Sequence, residues 1–333
     1  MATYQESIAD SISAQDTLSE LLILGSEQHA KSMITVEFDW GTPDGNLDIT
    51  TTSDLGGDEL PIAALFQVAG RDSTGISRTD AEISTGLFDG TNQVVLGGGE
   101  RNNVDFGLGT SKAFHQLRDD AVMLELDGRF NSINRQASAV EFITNGVRIN
   151  VPSDYGSNKK GFVTLFFDPG GQAEVGTYDP NDTQDSSVTV SPGFEADAII
   201  SIGARNEVDN DSEGAWHMIP NIGFAVNGGN QVSIYRWSEN SNGAGQVTEA
   251  RLQNNRGAII NLSGPYIEYD NFTSTSFDAT TRDAAASSSN RVAYLALSMP
   301  NVSLHVGVLD TPTSSGFLDI DDLGFSADGA LFG

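Results

Sequence analysis

The strongest constraint on this chain is an internal repeat that opens a third time near its end. Residues 174–198 read EVGTYDPNDTQDSSVTVSPGFEADA, and residues 305–330 read HVGVLDTPTSSGFLDIDDLGFSADGA. Val175-Gly176 and Val306-Gly307 lie 131 residues apart, and Gly193-Phe194 and Gly324-Phe325 keep the same spacing. A weaker copy begins at Val36, in VEFDWGTPDGNLDITTTSDLGGDELPIAALF. Two copies and the opening of a third suit a protein that builds or binds something better than one that turns over a substrate.

The texture within each copy is that of short strands and turns. Gly accounts for 36 residues, and Ser, Thr, Asn and Asp fill the stretches between apolar runs. In residues 33–170 the strand candidates are Met33–Phe38, Ile62–Val68, Gln93–Leu96, Ala121–Leu126, Ala139–Ile143, Val147–Val151 and Phe162–Phe167. In residues 171–303 they are Glu174–Tyr178, Ser187–Val190, Ala198–Ile202, Ile222–Val226, Gln231–Trp237, Gln246–Leu252, Ala258–Leu262, Tyr266–Tyr269 and Arg291–Ser298. Gly86-Leu-Phe-Asp-Gly-Thr-Asn-Gln93-Val94 resembles Gly223-Phe-Ala-Val-Asn-Gly-Gly-Asn-Gln231-Val232, and each reads as a hairpin. Gly161–Phe167 corresponds to Arg291–Leu297, a buried closing strand. Asp120–Glu125 and Ser276–Ser287 have room for a turn of helix at most. The expectation is an all-β chain of tandem β-sandwich, jelly-roll-like repeats over 33–170 and 171–303.

Both ends stand apart from this pattern. Residues 1–32 lack the Gly-rich texture, and Asp16–Leu24 reads as a short helix with Asp16 or Thr17 as N-cap. Two readings fit this segment: an assembly arm on a neighbouring subunit, or an element lying on its own domain. Residues 304–333 supply about two strands, which are marginal alone. They complete the second sandwich, add to a sheet edge in a neighbour, or open a longer product.

Charge excludes several functions. Asp and Glu number 46 against 17 Lys and Arg, for a net charge of −29. Such a surface repels nucleic-acid phosphates and anionic membranes alike. Its acidity and scarcity of Lys suit a marine or saline setting, where screening shortens like-charge repulsion. There is no Cys, so neither disulfides nor thiolate sites arise. No basic and apolar secretory leader opens the chain. The longest apolar runs, Leu21–Leu24 and Phe162–Phe167, fall far short of a membrane span. The expectation is a soluble product of the host cytoplasm.

Candidate sites are few. Asp209, Asp211 and Glu213, followed by Gly214, alternate like the first half of an EF-hand calcium loop. Pro220 stands where that loop needs its last Glu, so a solvated acidic turn is the competing reading. Asp179, Asp182 and Asp185, or Asp319, Asp321 and Asp322, form further acidic groups suited to a shared cation. Trp216, Trp237 and Tyr235 lie near polar loops in the second copy, either as a sugar-stacking cluster for glycan or as core. Ser111, His115 and Asp119 lack a nucleophile elbow, and the four histidines show no metal-ligand spacing. No residue is expected to be catalytic, and no cofactor is expected beyond calcium.

The blocks Val175–Asp179 with Gly193–Ile200, Gly223–Gln231, Phe272–Phe277 and Tyr294–Leu297 resemble a module of bacteriophage virion structural proteins, with GFxPDAxI-type openings. TYQESIADSISAQDTLSEL, near the start, is similar to openings of phage virion proteins. The resemblance covers the second copy and the opening of the third, and the first loosely. It implies a virion component of tail, fibre or capsid-surface type, with no catalytic residues. The implied partners are further copies of the chain, other virion proteins and host surface glycan.

Overall fold

The computed structural model describes residues 21–26, 32–40, 45–52, 59–69, 80–101, 112–127, 132–152, 160–204, 217–218, 221–239, 248–259, 265–283, 290–307 and 329–332. Every regular element among them is a β-strand, and every pairing is antiparallel. The first strand, β1 (Leu21–Ser26), belongs to neither sandwich.

Ten strands make the first sandwich: β2 (Met33–Asp39), β3 (Gly45–Thr50), β4 (Ala63–Ala69), β5 (Asp80–Phe88), β6 (Gln93–Arg101), β7 (Lys112–Arg118), β8 (Met123–Asp127), β9 (Ser132–Ile143), β10 (Gly146–Val151) and β11 (Lys160–Phe166). One sheet has the order β2-β11-β4-β5-β6-β7, the other β3-β10-β9-β8. The second sandwich uses β12 (Gln172–Tyr178), β13 (Ser187–Val190), β14 (Ala198–Ala204), β15 (His217–Met218), β16 (Asn221–Val226), β17 (Gln231–Glu239), β18 (Thr248–Asn254), β19 (Ala258–Ile259), β20 (Tyr266–Asp270), β21 (Phe277–Arg282) and β22 (Arg291–Ser298). Its sheets run β12-β22-β14-β16-β17, with β18 and β15 both on β17, and β13-β21-β20-β19. Apart from the two-residue β15, the orders coincide strand for strand. In both, the last strand inserts between the first and the third.

Burial patterns explain why the large sheets differ from the small ones. β20 alternates buried and half-buried residues, as a sheet with one face in water does. β22 is buried at six successive positions, as a strand covered on both faces must be. One face of each large sheet lies inside its own sandwich. Trp40, Phe66, Phe88 and Ile149 fill the first interior, and Tyr178, Tyr269, Phe277 and Tyr294 the second. The other faces meet each other. Met33, Leu65 and Phe166 pack in one cluster with Ile200, Leu295 and Leu297. Separating the sandwiches would expose these groups, at roughly 1.5–3 kcal/mol per large side chain. The four sheets therefore stack as one cooperative body.

The Gly and Gln of the matched hairpins have a shared physical task. A Cβ on Gly86 would sit 1.9 Å from the Val122 carbonyl oxygen, and one on Gly223 would sit 1.8 Å from that of Gly257. In both sandwiches the small sheet approaches the large one through this bare backbone. Gln93 Oε1 accepts a bond from Ala139 N at 2.8 Å. Gln231 Oε1 accepts from Tyr269 N at 2.8 Å, and its Nε2 donates to Tyr269 O at 3.0 Å.

Three local expectations are corrected. Asp16–Leu24 is not a helix in its described part: residues 21–24 belong to β1, a strand hydrogen-bonded along both edges. Ser276–Ser287 contains β21, which buries Phe277, Ala279, Thr280 and Thr281. Asp120–Glu125 forms no helical turn: the overlapping strand candidate Ala121–Leu126 is the one realised, as β8, with its apolar residues buried. The unexpected strands β3 and β7, and β5 before the hairpin read from Gly86, are rich in polar residues. Ser84 and Thr85 of β5 and His115 and Gln116 of β7 are buried, so hydrophobicity alone did not mark those strands.

Candidate functional site

Among the described residues, the first and last strands meet in a third sheet. β23 (Val302–Gly307) and β24 (Gly329–Phe332) flank β1 in the order β23-β1-β24. β23 turns Val306 into the core shared by the two sandwiches, with Val302 and Leu304 packed against it. Ser303, on the other side of the strand, is exposed.

The register of this sheet reproduces that of the second sandwich. There, Leu295 of β22 lies opposite Val175 of β12 and Ile200 of β14. In the third sheet, Leu22 of β1 lies opposite Val306 and Leu331. Val175 and Val306 are separated by the repeat spacing of 131 residues, and so are Ile200 and Leu331. β1 thus fills the slot of a closing strand, which β11 fills in the first sandwich between β2 and β4. A signal for this was present in the chain: Leu21-Leu-Ile-Leu24 aligns with the closing block Tyr294-Leu-Ala-Leu297, with Leu at both second and fourth positions.

Side-chain bonds fasten each opening strand to the preceding sandwich at the repeat's own anchors. Val175 N donates to Asp89 Oδ2 at 2.7 Å, from β12 to the β5–β6 turn. Asn230, in the β16–β17 turn, donates from Nδ2 to the Val306 carbonyl at 3.1 Å. The connections between modules also meet. Buried Asp168, after β11, accepts from Asn301 N at 3.1 Å and Nδ2 at 2.7 Å, before β23. A shallow groove at the first junction is lined by Asp89, Asn92, Glu174 and Phe194. Its acids are engaged: Asp89 as above, and Glu174 by the Tyr294 hydroxyl at 2.6 Å.

The expected site residues are not brought together in the described part of the chain. Asp209, Asp211, Glu213 and Trp216 lie outside the described residues, as do Ser111, Asp319, Asp321 and Asp322. Trp237 lies in β17, opposite Glu249. Tyr235 is only 2% exposed, so it is a core residue and presents no ring face to a sugar. Asp179 pairs with Arg291 at 2.6 Å and Asp185 with Arg282 at 3.0 Å. Both carboxylates thus hold arginines rather than facing each other across a cation. Among the described residues no group of three or more His, Asp or Glu is placed to hold a metal. His115 is buried in β7. Among the described residues no helix is long and apolar enough to cross a membrane.

The scarce cations staple acidic strands together. Arg148 of β10 bonds Asp48 of β3 and Glu141 of β9, each at 2.6 Å, across three neighbouring strands. Lys160 of β11 reaches Glu37 and Asp39 of β2, and Arg282 of β21 joins Asp185 to Glu268. The hydrogen bond from Arg148 holds the Asp48 carboxyl below the usual carboxylate range. The hydrogen bond from Arg118 does the same for Asp120. This placement relieves repulsion where strands of like charge must lie side by side. Compared with known protein families, curated proteins and solved structures, the chain matches none.

Proposed function

We propose that this chain is a non-catalytic structural component of a phage virion, a surface-exposed protein of tail or fibre type that assembles through its β-sandwiches and terminal strands. The virion assignment rests on the resemblance of the repeated blocks to phage structural modules. The observation that carries the assembly role is the pairing of Leu21–Ser26 with Val302–Gly307 and Gly329–Phe332 in a three-stranded sheet, whose β23 packs on a core common to two sandwiches. An acidic surface with stapling cations suits a particle protein that stays hydrated in salt. The partners in this reading are further copies of the chain and other virion proteins.

The test is gold labelling of phage particles with an antibody to this chain. Labels along the tail or at its tip support the reading. Labels spread over the head make the protein a capsid-surface decoration. Particles free of label sink the virion assignment.

A further inference from the structure

We infer that the terminal sheet is a strand-exchange seam, in which β1 of one chain inserts between β23 and β24 of a second copy. The inference rests on the assembly part of the function proposed above and names its partner and contact. Its basis is the three-way register. Leu22 stands to Val306 and Leu331 as Leu295 stands to Val175 and Ile200. By that register β1 is the closing strand of a module, yet it precedes β2 and the whole first sandwich in sequence. The opening and third strands of that module, β23 and β24, follow β22. Every other closing strand follows its own module and leads directly into the next. β11 runs into β12 through residues 167–171, and β22 into β23 through 299–301. β1 likewise precedes β2 in sequence, separated from it by residues 27–32.

A closing strand joined covalently to the following module is what a head-to-tail array requires. The backbone bonds that close the sheet within one chain are the same bonds that join two chains. Exchange of an identical element therefore changes few local contacts, and concentration decides between the two forms. The seam is also paired over a shorter length than the closing strand of the second sandwich. β1 is held by six register pairs to β23 and four to β24, whereas β22 is held by seven on each side. Among the described residues, β24 also lacks the further neighbour that β5 gives β4 and β16 gives β14. Such unpaired edges template pairing with another chain.

The chain has no Cys, so engineered thiols report cleanly. Ile23 lies opposite His305, and Gly25 opposite Ser303. Two full-length single variants, Ile23→Cys and His305→Cys, are mixed at high concentration, warmed, cooled and oxidised. The Gly25→Cys and Ser303→Cys pair repeats the test if either first variant fails to fold. Ile23→Cys mixed with Lys160→Cys measures chance collision. The expected result is a disulfide-linked heterodimer from the matched pairs well above the chance control. In addition, the oxidised Ile23→Cys/His305→Cys double variant, closed within one chain, loses the oligomers that wild type forms. Oligomers of wild type that persist in the closed double variant overturn the exchange and leave assembly to another surface. Wild type that stays monomeric at every concentration, without matched cross-links, overturns the exchange as well as self-assembly; virion labelling then remains an independent question.

Discussion

The two sandwiches share a strand order and are filled with different chemistry. The first interior packs Trp40, Phe66 and Phe88 and encloses an ion pair, Glu125–Arg135, at 3.3 Å. Both side chains of that pair are nearly buried, and the guanidinium carbon lies 5.9 Å from the Trp40 ring centroid. The second interior is built on tyrosines. Tyr178 donates to the Tyr269 hydroxyl at 3.0 Å, and Phe277 meets Tyr269 and Tyr294 edge-on at 5.5 and 5.6 Å. What stays constant is the bare Gly where the sheets approach, the Gln that clamps the small sheet, and the closing strand between first and third. The lesson is that strand order depends on a few backbone devices and on the apolar pattern, while the chemistry of the filling varies.

The largest test of that comparison is Phe277→Ala. Loss of a fully buried ring between two tyrosines should cost about 3–5 kcal/mol. Because the large sheets share a core, calorimetry should show one transition moved down as a whole. Two separated transitions would break the picture of one cooperative body. Next comes Arg135→Met, which leaves Glu125 buried opposite an apolar group and should cost about 3 kcal/mol in denaturant titration. The double variant Glu125→Leu/Arg135→Met should recover most of that loss and bring the first interior closer to the uncharged second. No recovery would mean that the pair is needed in its own right.

Gly86→Ala and Gly223→Ala sharpen the comparison directly. Each drives a methyl into a carbonyl of the small sheet, and each should cost about 2–3 kcal/mol. Clearly unequal losses would show that the two contacts are not equivalent. The Gln clamps come next. Gln93→Ala removes one bond and should cost about 1 kcal/mol, and Gln231→Ala, which removes two, should cost more. An equal loss would mean that the second bond to Tyr269 adds nothing.

The smallest effect at neutral pH is confined to the second interior. Burial raises the Tyr269 hydroxyl to about 12, and burial followed by the neighbouring Tyr269 raises Tyr178. The fold thus holds the neutral forms, so this contribution is complete below the unfolded tyrosine value of about 10. It is lost as pH rises from about 10 through 12. The melting temperature should fall over that range as tyrosinate absorbance rises, and Tyr178→Phe should flatten the fall. A flat profile in wild type would show that these hydroxyls titrate as freely as exposed ones.

Much of this architecture was legible in the chain. Turn chemistry and short apolar runs gave the all-β sandwich class, and Ser187–Val190 and Arg291–Ser298 are strands with those bounds. The likeness of Gly86–Val94 to Gly223–Val232 marked the hairpins, because Gly and Gln are required there by close approach and by a backbone clamp. The polar stretches of strands escaped notice, such as β5 before Gly86. β5 buries Ser84 and Thr85, and Ser84 accepts a bond from Leu124 N, so its place depends on a partner 40 residues away. Tyr235 was open to either reading, because an aromatic in a strand next to polar loops carries no mark of which face is covered.

The sequence by itself determined the module: its spacing, its anchors Val175 and Val306, its turns and its acidic surface. These are local or periodic properties, and they survive translation along the chain. Only the tertiary structure decided that each large sheet buries one face in its own sandwich and the other against its counterpart, and that Leu21–Ser26 closes a sheet with strands about 280 and 310 residues away. A run such as Leu-Leu-Ile-Leu suits a helix or a strand equally. Its choice is made by the two open edges that receive it, and those exist only once the rest of the chain has folded.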